Sequence, residues 1–377
     1  MTERLSTLLR DEAADLLPPP PPTADILGTG RLLRRRRRTA QVVGGSALAA
    51  VLVVGAVFAT TSLHDDAAGG GEGKGIDPAT AAYLDHGAFA TGTTVHLGDG
   101  GNVDVGERVK VVYYTSAGLL VRSGDTPWTD DPGPSHYSLV APDGTTTRLD
   151  LDLGDRVPAT DPDQPVVAYA DATGPGSDSW DIVVRDVTTD REVSRTTVQG
   201  SFTWGGWEAP PVELDGDLVY VGLDDETPAV DWRTGTVTST SLGSSTVPEV
   251  AGGHVVTSTK STVEVVDLAT GRSVYSTPND GYPYISLSPD GRYAKVVQQD
   301  ESEGDSFDVV DLRSGDTTTI DGASWDFGWS PAGNLVSVDL KAGELSTCTA
   351  RGGDCSTSPV SGPVKGELKL AGISYES

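Results

Sequence analysis

The chain has 377 residues, room for one large domain or two ordinary ones, and its 55 acidic against 27 basic residues give a formal charge of −28. Glycine (46) and proline (24) are abundant while Phe (5) and Met (1) are scarce, which argues against long packed helices and for short strands joined by turns. So negative a balance also argues against nucleic acid as a partner, because phosphate backbones are bound by Lys and Arg.

The charge is divided along the chain. Residues 1–38 carry eight arginines, among them the block Arg34 to Arg38, against five acids, and they include a five-proline run, Pro18 to Pro22. Leu5, Leu8, Leu9 and Leu16 fall on one face of a short helix, which would dock a partner or rest on the inner membrane surface. The same stretch has no His and no Cys, which disfavours a zinc-binding anti-sigma domain. Thr39 to Leu63 then runs for 25 residues with no charge. A bilayer core of ~30 Å needs ~20 such residues, so this segment predicts one transmembrane helix. The arginine block on its N-terminal side predicts a cytoplasmic N-terminus and an extracytoplasmic remainder. A cleaved signal peptide fits less well, because its apolar stretch is roughly 7–15 residues behind a short basic region. A twin-arginine signal fits poorly too, since Arg37-Arg38 is followed by Thr39-Ala40-Gln41.

Residues 64–78, rich in Gly, Ala and charge, read as a flexible linker, and 79–377 as the folded domain. From there one pattern returns: a β-branched run, Asp, three residues, Gly. It appears as Asp231 to Gly235, Asp267 to Gly271 and Asp311 to Gly315, with Asp190 in the Gly place of the copy beginning at Asp186. Val140 to Gly144, His96 to Gly100 and Cys348 to Gly352 keep the register, and the seven starts lie 42 residues apart on average. A period of ~40–45 residues with four strands per unit is the signature of a β-propeller. In the clearest unit, Tyr282–Ser288 reads as the inner strand A, Arg292–Gln298 as B, Phe307–Asp311 as C and Thr317–Asp321 as D. The first hairpin (Thr93–Leu97, Asn102–Val105) lacks an inner strand, while Glu367–Ser374 is an inner-type strand without partners. Joining the two termini closes a seventh blade and removes an open sheet edge. The expected fold is therefore all-β, a seven-bladed β-propeller with velcro closure, preceded by one transmembrane helix.

The repeated Asp has a structural reading: at the end of strand C it caps turn amides while Gly takes the left-handed position. Cys348 and Cys355 flank a turn sequence and are expected to face each other across a hairpin as a disulfide, which persists in an oxidising compartment. The turns Leu287-Ser-Pro-Asp-Gly-Arg-Tyr-Ala294 and Trp329-Ser-Pro-Ala-Gly-Asn334 resemble those of TolB-like and Trp-Asp-repeat propellers. The Asp267-Leu-Ala-Thr-Gly271 type is similar to turns of pyrroloquinoline-quinone-type propellers, but no Trp regularly follows the Gly, so the resemblance implies no such cofactor. The N-terminal layout resembles single-pass membrane proteins of high-GC Gram-positive bacteria.

Catalytic signatures are sparse. The five histidines form no HExxH pair, and there is neither a Gly-x-Ser-x-Gly elbow nor a phosphate-cradling Gly-Lys-Ser/Thr loop. The loops joining B to C and D to A share one propeller face, and here they are long and acidic. One holds Trp128 with Asp125, Asp130 and Asp131, and a second holds Asp171 and Asp178. Two more hold Asp224, Asp225 and Glu226, and Asp300, Glu301, Glu303 and Asp305. The glycine-rich loop Trp204 to Trp207 adds two aromatics. Exposed aromatics in a polar rim make a binding surface, so the candidate ligand face comprises Trp128, Asp130, Asp131, Trp204, Trp207, Asp224, Asp225, Glu226, Asp300 and Glu301. The alternative is that these tryptophans pack between blades. Calcium is the natural small ligand of such oxygen-rich loops, although no EF-hand loop is present.

The expected function is a non-catalytic binding or sensing module for a protein, peptide or glycan of the cell envelope. A glycan hydrolase using rim carboxylates and a structural envelope scaffold are the alternatives.

Overall fold

The computed structural model describes residues 76–129, 133–154, 156–203, 207–240, 242, 249–279, 284–297, 306–362 and 364–372. The expected membrane span, Thr39–Leu63, lies outside the described residues, among which no helix is long and apolar enough to cross a membrane.

Helix α1 (Pro78–His86) opens the domain and was not foreseen. Its N-cap is Asp77, whose carboxylate accepts the Thr80 amide at 3.0 Å, and Pro78 supplies a first helical residue that needs no amide partner. Blade one then contributes β1 (Ala88–Thr91), β2 (Thr94–Leu97) and β3 (Asn102–Asp104). Blade two holds β4 (Arg108–Thr115), β5 (Gly118–Gly124), β6 (Ser135–Val140) and β7 (Thr146–Leu149). Blade three holds β8 (Ala159–Thr160), β9 (Val166–Ala172), β10 (Ser179–Asp186) and β11 (Arg191–Gln199). Blade four is β12 (Val212–Asp215), β13 (Leu218–Val221), β14 (Ala229–Asp231) and β15 (Thr236–Thr238). Blade five is β16 (Val250–Ala251), β17 (His254–Ser258), β18 (Thr262–Asp267) and β19 (Arg272–Pro278). Blade six is β20 (Tyr284–Leu287), β21 (Tyr293–Val297), β22 (Ser306–Asp311) and β23 (Thr317–Asp321). Blade seven is β24 (Phe327–Trp329), β25 (Leu335–Asp339), β26 (Glu344–Cys348) and β27 (Cys355–Pro359). The last strand, β28 (Leu368–Leu370), returns to blade one, where Ala90 pairs with Lys369 and Phe89 with Leu370.

Among the described residues these strands form seven four-stranded antiparallel sheets, and the first has the order β28-β1-β2-β3. The seven-bladed ring and its closure by both termini are as the repeat arithmetic requires. Each neighbouring pair of blades shares an apolar cluster. Ile182 and Val184 of blade three meet Val212 and Leu214 of blade four, and Phe89 of blade one meets Val336 and Leu345 of blade seven. Strands covered on both faces read as unbroken apolar runs, as in the fully buried Leu119, Leu120 and Val121.

All seven expected C–D turns form. The Asp231 carboxylate caps the amides of Arg233 and Thr234 (3.1 and 3.0 Å), and Asp311 caps Arg313 and Ser314. Asp190, standing where its relatives have Gly, takes φ +55°. Blade seven departs by one residue: the left-handed position is Gly353, not Gly352. A further copy, Asp339 to Gly343, joins β25 to β26 on the opposite face, with Asp339 capping Lys341 and Ala342. Cys348 and Cys355 are directly paired and disulfide-bonded, with Cα atoms 4.0 Å apart.

Candidate functional site

The sequence-derived face is partly visible. Trp128, between β5 and β6, is 47% exposed, and the Lys369 ammonium lies 5.2 Å from its ring centroid. Because Lys369 belongs to β28, Trp128 reaches across the seam where the ring closes. Asp224 is tied to Thr203, accepting its amide at 3.0 Å and its hydroxyl at 3.1 Å. The turn that holds Asp224, Asp225 and Glu226 is tight, closed by Leu223 N–H on the Glu226 carbonyl at 3.0 Å. Trp207 is partly buried. Asp130, Asp131, Trp204, Asp300 and Glu301 lie outside the described residues. Among the described residues, no three His, Cys, Asp or Glu side chains converge so as to hold a metal ion. Trp325, between β23 and β24 on this same face, is 40% exposed and stacks on Tyr284 at 5.3 Å. It joins the aromatic set that the sequence reading assembled without it.

A second site lies on the ring axis, where the inner strands leave a cavity of about 200 Å³. Its walls are largely aliphatic, including Val157, Leu214, Leu287 and Leu370, but four carboxyl-bearing residues line it: Asp161, Glu213, Asp215 and Glu249. Three of these link neighbouring blades. Asp161 of blade three accepts the Gly216 amide of blade four at 2.7 Å. Asp215 of blade four accepts the Gly252 and Gly253 amides of blade five at 3.0 and 2.9 Å, and Glu249, just before β16, accepts the Leu287 amide of blade six at 2.9 Å. Polar contacts join the other blades as well: the Trp329 indole donates to Ser286 Oγ at 3.1 Å, and Val109 N–H donates to the Gly92 carbonyl at 2.8 Å.

Glu213 is different. It alternates with the buried Val212 and Leu214 on β12, is itself partly buried, and lines the cavity. Burial raises its carboxyl well above the usual range, and the charges of Glu249, Asp215 and Asp161 add to that. Burial also pushes Asp161 up to about 6, against the lowering pull of the Asp163 and Gly216 amides, and raises Asp163, whose neighbours Asp290 and Asp215 act in the same direction. A buried cation of blade six, Lys295 on β21, is brought down to about 8 by burial, which Glu249 opposes. Its ammonium is spent on the Ser324 and Phe327 carbonyls at 3.1 and 2.6 Å. The sequence signal for this site was present but unused: acids alternating with apolar residues in an inner strand, Val212-Glu213-Leu214-Asp215.

No family model and no curated protein matches the chain. Solved structures similar to it include AztD from Citrobacter koseri (13% identity over 74% of this chain and 95% of that one, TM-score 0.44). TolB from Acinetobacter baumannii is similar at 13% identity, covering 76% and 66% of the two chains with a TM-score of 0.38. Hsv2 from Kluyveromyces lactis is similar at 14% identity over 64% and 73%, with a TM-score of 0.40. The blade count rests on the seven sheets themselves.

Proposed function

We propose that this chain is a membrane-anchored, extracytoplasmic β-propeller that works as a non-catalytic binding or sensing module. The observation that carries this reading is the axial cavity, where Glu213 has no partner among the described residues while its neighbours are fixed by inter-blade bonds. A site pre-organised in this way binds without first reordering its walls. The exposed Trp128 and Trp325 on one face give a partner of larger size a place to rest. The anchor is the uncharged run Thr39 to Leu63 behind Arg34 to Arg38, and the Cys348–Cys355 bridge suits an oxidising exterior.

One observation favours a second reading. Glu213, whose carboxyl is raised well above the usual range by burial and by the Glu249 charge, shares the cavity with Glu249, and two carboxyl groups pushed apart in acidity suit an acid–base pair, so a glycan hydrolase working on the axis is the runner-up.

Two measurements test the proposal. In intact cells, a membrane-impermeant thiol reagent applied after mild reduction should label Cys355, the exposed member of the pair; labelling only after lysis overturns the topology. Purified full-length protein incubated with fractionated envelope extract should show a saturable rise in Tm with no product formed. Turnover that Glu213→Gln abolishes would establish the hydrolase in its place.

A further inference from the structure

The axial cavity has a chemical bias that narrows its ligand. Glu213 faces it with no hydrogen bond or ion pair among the described residues. The charges that act on Glu213 are Glu249, Asp215 and Asp161, all negative. Among the described residues no Lys, Arg or His lines the cavity, and Lys295, whose charge Glu249 supports, lies against the Ser324 and Phe327 carbonyls.

We infer that the cavity takes an aliphatic organic cation, an ammonium or guanidinium head on a methylene stem, with the head seated against Glu213. This deepens the reading of the ring axis as the binding site and rests on it. Three features favour that class. The field at Glu213 attracts positive charge and repels anions. The acids are dispersed over three blades and no three converge as a metal would need, whereas an organic cation requires one good contact and a favourable field. The remaining wall, with Val157, Leu214, Leu287 and Leu370, suits methylenes. The volume of about 200 Å³ lies below the ~300–1,000 Å³ of drug-sized pockets. A slim chain therefore fits, either a free polyamine or the side chain of a peptide.

Binding is coupled to a proton. Burial and its anionic neighbours raise the Glu213 carboxyl, and an arriving cation opposes that field, so binding favours the ionised carboxylate and the release of any proton it carries. The groups that face this event are Asp215 on its own strand, Asp161 and Asp163 from blade three, Glu249 from blade five, and Asp290 and Lys295 from blade six. All but Lys295 are carboxylates, so affinity rises with pH.

The test uses full-length protein in detergent and isothermal titration with cadaverine, spermidine and Nα-acetyl-arginine amide. Nα-acetyl-norleucine amide is the neutral control, and a chitin oligomer is an uncharged glycan arm. At pH 8 the cations should bind and the neutral amide should not, with proton release evident from two buffers of different ionisation heat. Affinity should fall at least tenfold at pH 5.5. Glu213→Gln, which keeps the shape of the wall, should lose tenfold or more, whereas Asp321→Asn on an exposed outer strand should lose nothing. Preference for cadaverine and spermidine or for the arginine amide then distinguishes a free polyamine from a peptide. Equal binding to wild type and Glu213→Gln overturns the inference, because the cations then sit elsewhere on an acidic surface. Binding of the chitin oligomer alone, lost in Glu213→Gln, overturns the ligand class yet keeps the axis as a binding site. Binding of no probe overturns the inference, and failure of envelope extract to raise Tm would then remove the binding reading as well.

Discussion

The Asp161 carboxylate of blade three accepts the Gly216 amide of blade four across 2.7 Å, and the relationship is handed on around the ring. Asp215 does the same for Gly252 and Gly253, and Glu249 for Leu287. Gly216, Gly252 and Gly253 all have positive φ, which turns their amides toward the preceding blade. At Gly252 a Cβ would also collide with the Asp290 carbonyl. Each link satisfies a backbone amide of the next blade, so these acids hold blade to blade.

Neighbouring acids on β12 should consequently respond to substitution with opposite sign. Asp215→Ala leaves two amides without an acceptor, and hydrogen bonds to a charged group are each worth ~1.5–3 kcal/mol. Some relief of repulsion offsets this, so a loss of about 2–4 kcal/mol is expected in urea denaturation. Gly252→Ala should fall in the same range or worse. A neutral outcome for Asp215→Ala would mean that the blades are held by apolar packing alone.

Glu213→Gln should instead stabilise the unliganded protein at neutral and higher pH. A group whose folded pKa is raised contributes stability that is present below its unfolded value and lost as pH rises through the folded one. Glu213 is raised well above its ordinary 4.5, and Asp161 from 3.8 to about 6. The wild-type Tm should therefore climb as pH falls from 8 toward 5. In Glu213→Gln that slope should flatten, with a Tm above that of the wild type at pH 8. Parallel pH profiles for the two proteins would show that the Glu213 carboxyl is not raised.

The contrast between β12 and the turns marks how far sequence carries. The C–D turns were legible because Asp and Gly are demanded there by backbone geometry, locally and in every blade; Asp190 at φ +55° obeys the same demand. Asp339 to Gly343 meets that demand too, on the opposite connection, because a local motif does not say which face it serves. Helix α1 went unread although Asp77-Pro78 is a cap followed by a first-turn proline. The axial cluster was illegible for a different reason. Asp161, Glu213, Asp215 and Glu249 are spread over 89 residues of an acidic chain, and only ring closure brings them to one cavity.

Closure itself depends on three residue pairs between β28 and β1, together with the buried Ala371 and the Trp329 amide on the Gly372 carbonyl at 3.1 Å. A chain ending at Gly366 loses all of these and exposes two sheet edges. Its Tm should drop by more than 10 °C, since a ring is cooperative and ~1 kcal/mol moves Tm by ~2–4 °C in domains of 150–250 residues. An unchanged Tm by calorimetry would contradict the closure by β28.

The Cys348–Cys355 bridge closes a short loop across β26 and β27, and the entropy of so small a loop predicts about 2.5 kcal/mol. Cys355 is exposed while Cys348 is buried, so Cys355→Ser paired with Cys348→Ala avoids burying a hydroxyl. The double variant should lose roughly that amount in non-reducing denaturation. Adding reductant to it should change nothing, whereas reductant should bring the wild type down to the same level.

The tryptophans separate the outer face from the core. Trp329 is 2% exposed, lines the axial cavity and donates to Ser286, so Trp329→Ala should cost about 3–5 kcal/mol as large core truncations do. Trp128 and Trp325 are 47% and 40% exposed, and Trp128 meets Lys369 while Trp325 stacks on Tyr284. Their alanine variants should cost ~0.5–1 kcal/mol of stability, the worth of an exposed cation–π or stacked pair. If the face between blades six and two receives a macromolecular partner, those same variants should weaken its binding by more than ~1 kcal/mol. Arg313→Ala, in a C–D turn on the opposite face, should leave binding unchanged. Trp128→Ala and Trp325→Ala proteins that unfold as readily as Trp329→Ala would assign both rings to packing, and the aromatic face would then not be a surface for partners.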